Sequence, residues 1–256
     1  MEHNREKSSL VFGKNAALEL LKSSRPIDTL YIDARGDEKL TGYYTALAKT
    51  KGAVVKRVHA NKLDEMCGSK RHQGIAAALS LIEYSEISDI LETAGQRREA
   101  PFVIMADSIE DPHNLGAIIR TARAAGAHGI IIPKRGSAQI NETVQRASAG
   151  AVNHLAVARV PNLANAVREL KKAGLFCYCA DPGGQRAFET DLDGPILLII
   201  GSEGFGVSRL LRELSDAPVS LPMREGAGSL NASVAAGALI YEIVRQRLIK
   251  DEVRRV

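Results

Sequence analysis

Apolar residues in this chain gather into short runs that end in polar or glycine-rich breaks, and most breaks are followed by apolar positions at helical spacing. In the N-terminal third this pattern predicts a helix after Gly13 (Ala16, Ala17, Leu20, Leu21), a strand Thr29–Ile32, a helix Tyr43–Lys51 and a strand Val54–Val58. A short helix is expected near Asn61, whose side chain suits an N-cap, and a strand Ile75–Leu81 closes the unit. Residues 8–82 thus read as a small α/β domain, and the polar stretch 83–100, with one helical pattern at Ile87–Ala94, reads as a linker.

From residue 101 to about 250 strands and helices alternate. The expected strands are Phe102–Ala106, Gly129–Ile132, Leu155–Val160, Phe176–Ala180, Ile196–Ile200 and Pro218–Leu221, and the expected helices are Leu115–Ala125, Glu142–Ala147, Leu163–Ala173, Val207–Leu214 and Ala232–Leu248. Such alternation predicts a mostly parallel sheet covered by helices on both faces. Apolar residues spread widely around the last helix, so more than one of its sides should be buried, one of them against a partner chain.

Three polar clusters sit where apolar runs end: Asn114-Leu-Gly-Ala-Ile-Ile-Arg120, Gly201-Ser-Glu-Gly-Phe-Gly206 and Leu221-Pro-Met-Arg-Glu-Gly-Ala-Gly-Ser-Leu-Asn231. Loops at the ends of parallel strands are where open sheets bind ligands. Leu115, Ile118, Ile119, Ala122 and Ala125 form one apolar stripe, and Arg120 projects roughly opposite to it, so Arg120 does not serve the core. An arginine beside a helix N-terminus suits a phosphate. The second cluster has the spacing Gly-x-x-Gly-x-Gly, which is not the dinucleotide fingerprint, and no Gly-Lys-Ser/Thr phosphate loop occurs. In the third, Ser229 and Asn231 stand where they either cap the last helix or meet a ligand such as an adenine.

Composition narrows the partners. The formal charge of +4 favours an anionic partner, while the absence of tryptophan and an aromatic content of 4% argue against recognition by base stacking. Cys177 and Cys179 alternate on a strand and face one way, as core residues do, and with Cys67 they make an odd count that argues against a disulfide framework. No ligand cluster for a metal is evident. No apolar run approaches the roughly 20 residues of a membrane helix, and the N-terminus lacks a signal-peptide pattern, so the expected location is the cytoplasm.

Taken together, the three clusters resemble the signature motifs of the SpoU (TrmH-like) class of SPOUT RNA methyltransferases, and Val11-Phe-Gly-Lys-Asn-Ala with Arg71-His-Gln-Gly-Ile is similar to the L30e-like substrate-binding domain that precedes the catalytic domain in many members. The resemblance implies transfer of a methyl group from S-adenosylmethionine to a ribose 2′-hydroxyl of RNA, with the pairing of units most similar to the enzymes acting on a guanosine in the peptidyl-transferase loop of 23S rRNA. It implies a C-terminal SPOUT α/β-knot, a deep trefoil, and a homodimer. It carries catalytic positions onto Asn114, Arg120, Glu203, Ser229 and Asn231, and cofactor contacts onto Gly201, Leu221, Met223, Ser229 and Leu230. Within that family, Lys70, Arg71, His72 and Gln73 are expected to meet RNA. Methylation of tRNA or of another rRNA nucleotide is the alternative, and a non-catalytic RNA-binding assembly protein is the reading from a different class.

Overall fold

The computed structural model describes residues 10–224 and 229–254, which fall into two compact units divided between Glu83 and Tyr84. The first contains β1 (Leu10–Phe12), α1 (Lys14–Lys22), β2 (Ile27–Asp33), α2 (Glu38–Thr50), β3 (Val54–Val58), α3 (Ala60–Cys67), a 3-10 turn at Lys70–His72 and β4 (Ile75–Leu79). Its sheet has the order β1-β4-β2-β3, with β4 antiparallel to both neighbours and β2 parallel to β3. The two-residue period of β4 sorts its side chains. Ile75 and Ala77 pack with Leu20, Leu21 and Tyr44 on one face, and Ala76 packs with Leu63 and Cys67 on the other.

Two details differ from the expected pattern. Helix α3 begins at Ala60 behind an extended His59, so Asn61 lies inside the first turn and is not the N-cap. The amides of Lys62 and Leu63 bond to the His59 carbonyl, which shows that the chain turns immediately after β3. Strand β1, three residues long, is too short to show alternation and is defined by its pairing with β4.

The second unit contains α4 (Ile87–Arg97), β5 (Phe102–Ala106), α5 (Pro112–Ala124), β6 (Gly129–Pro133), α6 (Glu142–Ala147), β7 (Ala156–Val160), α7 (Leu163–Lys172), β8 (Phe176–Arg186), β9 (Ile196–Ile200), α8 (Arg209–Leu214), β10 (Ala217–Ser220) and α9 (Ala232–Arg254). Its six strands have the order β10-β8-β9-β5-β6-β7, and every pairing is parallel. Strands β5 and β9 are buried along their whole length, as neighbours at the centre of a sheet covered on both faces should be. Each buried Ile, Leu, Val or Phe contributes roughly 1.5–3 kcal/mol of transfer free energy.

The stretch 83–100, expected as a linker, is instead largely α4. Ile87, Ile90 and Ala94 of this helix are buried, and Ile87 and Ile90 belong to the core that holds Val103, Ile131 and Leu163. The fit is close: a Cβ on Gly129 would lie 2.5 Å from Ile90 Cδ1, so the glycine at the start of β6 makes room for α4. Its Gln-Arg-Arg-Glu tail gives the segment a linker-like composition, yet the buried face decides its fate. Cys177 and Cys179 are wholly buried in the same core, and burial pushes the Cys177 thiol up to about 11.

Helix α9 buries Ala236, Leu239, Ile240 and Ile243, whereas Val234, Tyr241 and Leu248 form an exposed stripe on another side. Gln246 fastens the helix to the chain before β9, accepting from Leu192 N at 2.7 Å and donating to Thr190 O at 3.0 Å. No described helix is long and apolar enough to cross a membrane.

Candidate active site

The C-terminal ends of β5, β9, β8 and β10 lie side by side, and the three polar clusters leave the sheet there. Asp107 follows β5 directly and is buried. One of its oxygens accepts from Ser208 N at 2.7 Å and the other from Ser108 Oγ at 3.1 Å, so it ties the start of α8 to the loop before α5. The sequence reading did not single out Asp107; its signal is an acid placed immediately after a wholly apolar strand. Helix α5 then starts at Asp111, whose side chain accepts from His113 N at 2.9 Å, with Pro112 in the first turn. That start places Asn114 in the first turn. Two residues later, a Cβ on Gly116 would lie 2.5 Å from Ala147 Cβ, so this motif glycine lets α5 and α6 pack closely.

The second cluster is a tight turn. Gly206 N donates to Ser202 O at 2.9 Å, and a Cβ on Gly201 would lie 2.0 Å from the Gly206 carbonyl carbon. Only glycine fits at position 201. The turn delivers Glu203 to the other two clusters: Asn114 Nδ2 donates to Glu203 Oε1 at 2.9 Å, Asn231 Nδ2 donates to Asn114 Oδ1 at 2.9 Å and also to Glu203 Oε1, and Ala232 N approaches the same oxygen at 3.4 Å. Among the described residues no donor bonds Glu203 Oε2.

Asn231 serves two purposes. Its Oδ1 accepts from Ser233 N at 3.0 Å and Val234 N at 3.3 Å, which caps α9, and this orientation turns Nδ2 toward Glu203. Asn231 thus caps α9 and at the same time bonds Asn114 and Glu203.

Beside this triad lies a cavity of about 540 Å³ lined by Gly201, Glu203, Leu221, Met223, Ser229 and Leu230, with Ala235 and Leu239 supplying further apolar surface. The volume falls in the roughly 300–1,000 Å³ range of small-molecule sites. The main chain of Met223, Ser229 and Leu230 lies outside the ladders and helices and bonds no other described residue, which leaves polar groups within an apolar cleft. An adenosyl group, with a flat apolar body and a donor and acceptors at its edge, fits such a lining. Residues 225–228 of the third cluster lie outside the described residues.

Arg120 is exposed on α5, as its position opposite the apolar stripe predicts, but no described residue bonds its guanidinium and it is not in the cavity lining. The structure thus brings together Asn114, Glu203 and Asn231, and groups Gly201, Leu221, Met223, Ser229 and Leu230 around the cavity that Glu203 also lines, while Arg120 neither bonds the three nor lines the cavity.

In the first unit the residues expected to meet RNA divide. Lys70 and Arg71 are exposed. His72 is buried, with Nε2 2.9 Å from Asp64 Oδ1 and Nδ1 accepting from Gly74 N at 2.9 Å, so both ring nitrogens are engaged within the unit. Gln73 is exposed, and its Oε1 accepts from Lys14 N at 3.0 Å, joining the two segments that carried the resemblance in this unit.

Comparison with known proteins fits this geometry. The family model described as SpoU rRNA Methylase matches residues 101–241, and the one described as RNA 2′-O ribose methyltransferase substrate binding matches residues 10–85. A Bacillus subtilis (strain 168) protein named as a TrmH family tRNA/rRNA methyltransferase, YacO, is 44% identical over 239 residues, covering 93% of this chain and 95% of the relative. The SpoU methyltransferase AviRb from Streptomyces viridochromogenes, solved in complex with the cofactor AdoMet, is 29% identical with a TM-score of 0.60, covering 94% of this chain and 90% of that one. A TrmH/SpoU tRNA modifying enzyme from A. aeolicus is 27% identical with a TM-score of 0.55 over 63% of this chain and 86% of its own. With a methylase-family match over more than half its length and a relative aligned nearly end to end, this chain belongs to the SpoU RNA methyltransferase family.

Proposed function

We propose that this protein transfers a methyl group from S-adenosylmethionine to a ribose 2′-hydroxyl of RNA, and that its target is a guanosine in the peptidyl-transferase loop of 23S rRNA. The observation that carries the reading is the meeting of Asn114, Glu203 and Asn231, from three separate sequence clusters, at the edge of the 540 Å³ cavity. The cofactor supplies a methyl group already made electrophilic by a sulfonium. The chain's own residues then have to align the hydroxyl oxygen and accept or share its proton. Asn114 and Asn231 fix one oxygen of Glu203, so Oε2 is the acceptor presented to the hydroxyl. The role of Arg120 is to hold the neighbouring phosphate through its planar fork and offset charge growing on the attacking oxygen.

In this reading Lys70, Arg71 and Gln73 meet the RNA, with His72 holding their turn in place. The exposed stripe Val234, Tyr241 and Leu248 on α9 is the contact of a homodimer, and the trefoil knot and cytoplasmic location follow as properties of the same reading. The second substrate reading is tRNA, which the name of the Bacillus subtilis relative gives beside rRNA and that of the A. aeolicus enzyme gives alone.

The test is transfer of labelled methyl from S-adenosylmethionine to unmodified 23S rRNA, 16S rRNA and tRNA, with the position mapped by resistance of its phosphodiester to alkaline cleavage. One protected guanosine in the 23S peptidyl-transferase region is the expected result. Label in tRNA alone moves the substrate to the second reading, and no label in any pool overturns the activity.

A further inference from the structure

Phe205 lies two residues after Glu203 in the second cluster and is 94% exposed, whereas the other large exposed apolar side chains of the described residues range from 38% to 59%. Full exposure of a phenyl ring forgoes the whole gain of burying it. The ring is not on a slack loop. Ser202 and Gly206 form an antiparallel bridge, Gly206 N donates to Ser202 O at 2.9 Å, and Phe205 N approaches Ser202 Oγ at 3.4 Å. The turn therefore projects the ring from the same few residues that hold the Glu203 carboxylate in place.

The surroundings discriminate among occupants. At 94% exposure the ring is open to solvent on both faces, and its chain neighbours Gly204 and Gly206 carry no side chain that could cover it. A protein partner needs a contiguous apolar patch, and the neighbours here are glycines and a carboxylate; the apolar stripe of α9 is the surface of that kind. Phe205 is one of the residues lining the cavity, where a cofactor would meet it, yet 94% of its surface faces solvent. A single aromatic side chain with two open faces suits a planar partner that arrives from solvent. RNA read by shape in loops presents such partners, since unpaired bases splay out and stack on aromatic side chains.

We propose that Phe205 is a stacking platform for an unpaired base of the RNA substrate, at or next to the nucleotide whose ribose approaches Glu203. The inference rests on the RNA methyltransferase reading and adds to it a substrate contact. It also revises the expectation drawn from aromatic content, because one well-placed ring suffices where a composition of 4% argues against platforms in general.

The chain contains no tryptophan, so Phe205→Trp places a single fluorescent reporter at the position. Its emission is expected to be quenched by unmodified 23S rRNA transcript, or by tRNA transcript if that pool takes up the methyl, and to be insensitive to S-adenosylmethionine alone and to dilution of the protein. In transfer assays Phe205→Ala and Phe205→Leu are expected to raise the KM for RNA on the order of tenfold. Affinity for S-adenosylmethionine should fall by less than the KM for RNA rises in both, since the cavity has many other walls, and Phe205→Tyr should restore the wild-type KM. A Leu variant as effective as wild type, quenching by cofactor alone, or emission that follows protein concentration overturns the inference while leaving the methyltransferase reading intact. A folded wild type that methylates no RNA removes both.

Discussion

The two ends of the six-stranded sheet carry polar clusters of similar composition with opposite fates. At the N-terminal end His128 is buried, its Nδ1 accepting from Phe102 N at 3.0 Å and its Nε2 lying 3.0 Å from Glu99 Oε2, while Arg247 donates to the carbonyls of Ala100, Pro101 and Gly194. These groups spend their hydrogen bonds on the chain itself, closing the strand ends and tying α9 beneath them. At the C-terminal end Asn114, Glu203 and Asn231 also bond one another, yet they border a cavity and leave a carboxylate oxygen without a described donor. A polar cluster that satisfies itself in the core is a fastening. One that holds acceptors in place and still faces an opening is built to receive something.

The largest expected effect comes from closing the receiving end. In Gly201→Ala the new methyl group meets the backbone of Gly206, so the turn must move, and calorimetry should show S-adenosylmethionine affinity reduced by more than about 100-fold. Gly204→Ala, which meets nothing, should bind within about threefold of wild type on the same grounds. Next, Glu203→Gln should lower turnover by about 10²–10³ while cofactor affinity changes little, since the acceptor is lost and the shape is kept. Single-turnover methyl transfer measures this. Arg120→Ala should lose most of the turnover and retain cofactor binding; near-normal turnover would sink its assigned role.

The fastening end should respond in stability rather than activity. Burial holds the His128 imidazole below its usual range. Because the unfolded chain takes up a proton near pH 6.5 and the folded one resists it, this residue favours the folded state above that pH, and the contribution is lost as pH falls from about 6.5 toward the depressed folded value. His128→Asn keeps an acceptor for Phe102 N and cannot titrate. Denaturant melts should show it destabilised by about 1–3 kcal/mol near neutral pH, with a flatter dependence below pH 6.5 and normal turnover of the folded protein. The smallest effect belongs to Lys70→Ala with Arg71→Ala, which should lower the slope of log affinity for RNA against log salt by about 0.7–0.9 per phosphate contact removed.

Much of the sheet was legible in the sequence because apolar runs such as Ile196–Ile200 declare buried strands without help from the rest of the chain. The three clusters were legible as a group for a related reason: glycine and polar residues at the end of such a run have little to do in a core. Their meeting was not. Glu203 is 89 positions from Asn114, and nothing local says that Asn231 turns its nitrogen toward both. The burial of His72 was not legible, because nothing in the run Lys70, Arg71 and His72 says that the turn exposing the first two packs the third against Asp64. Helix α4 was legible as a helical pattern at Ile87–Ala94, but its place in the core was not, because its three buried positions are outnumbered by polar and charged ones. The exposure of Phe205 was not legible, because a lone phenylalanine among glycines packs inward or outward according to the turn that carries it.

The central claim is that the C-terminal end of the sheet, and not the N-terminal end, is the receiving site. Calorimetric titration of S-adenosylmethionine into the wild type, Gly201→Ala and His128→Asn proteins tests it most directly. The account predicts saturable binding at one site per chain in the wild type and in His128→Asn, and its loss in Gly201→Ala. Binding that survives Gly201→Ala in a folded protein, or that vanishes in a folded His128→Asn, contradicts it.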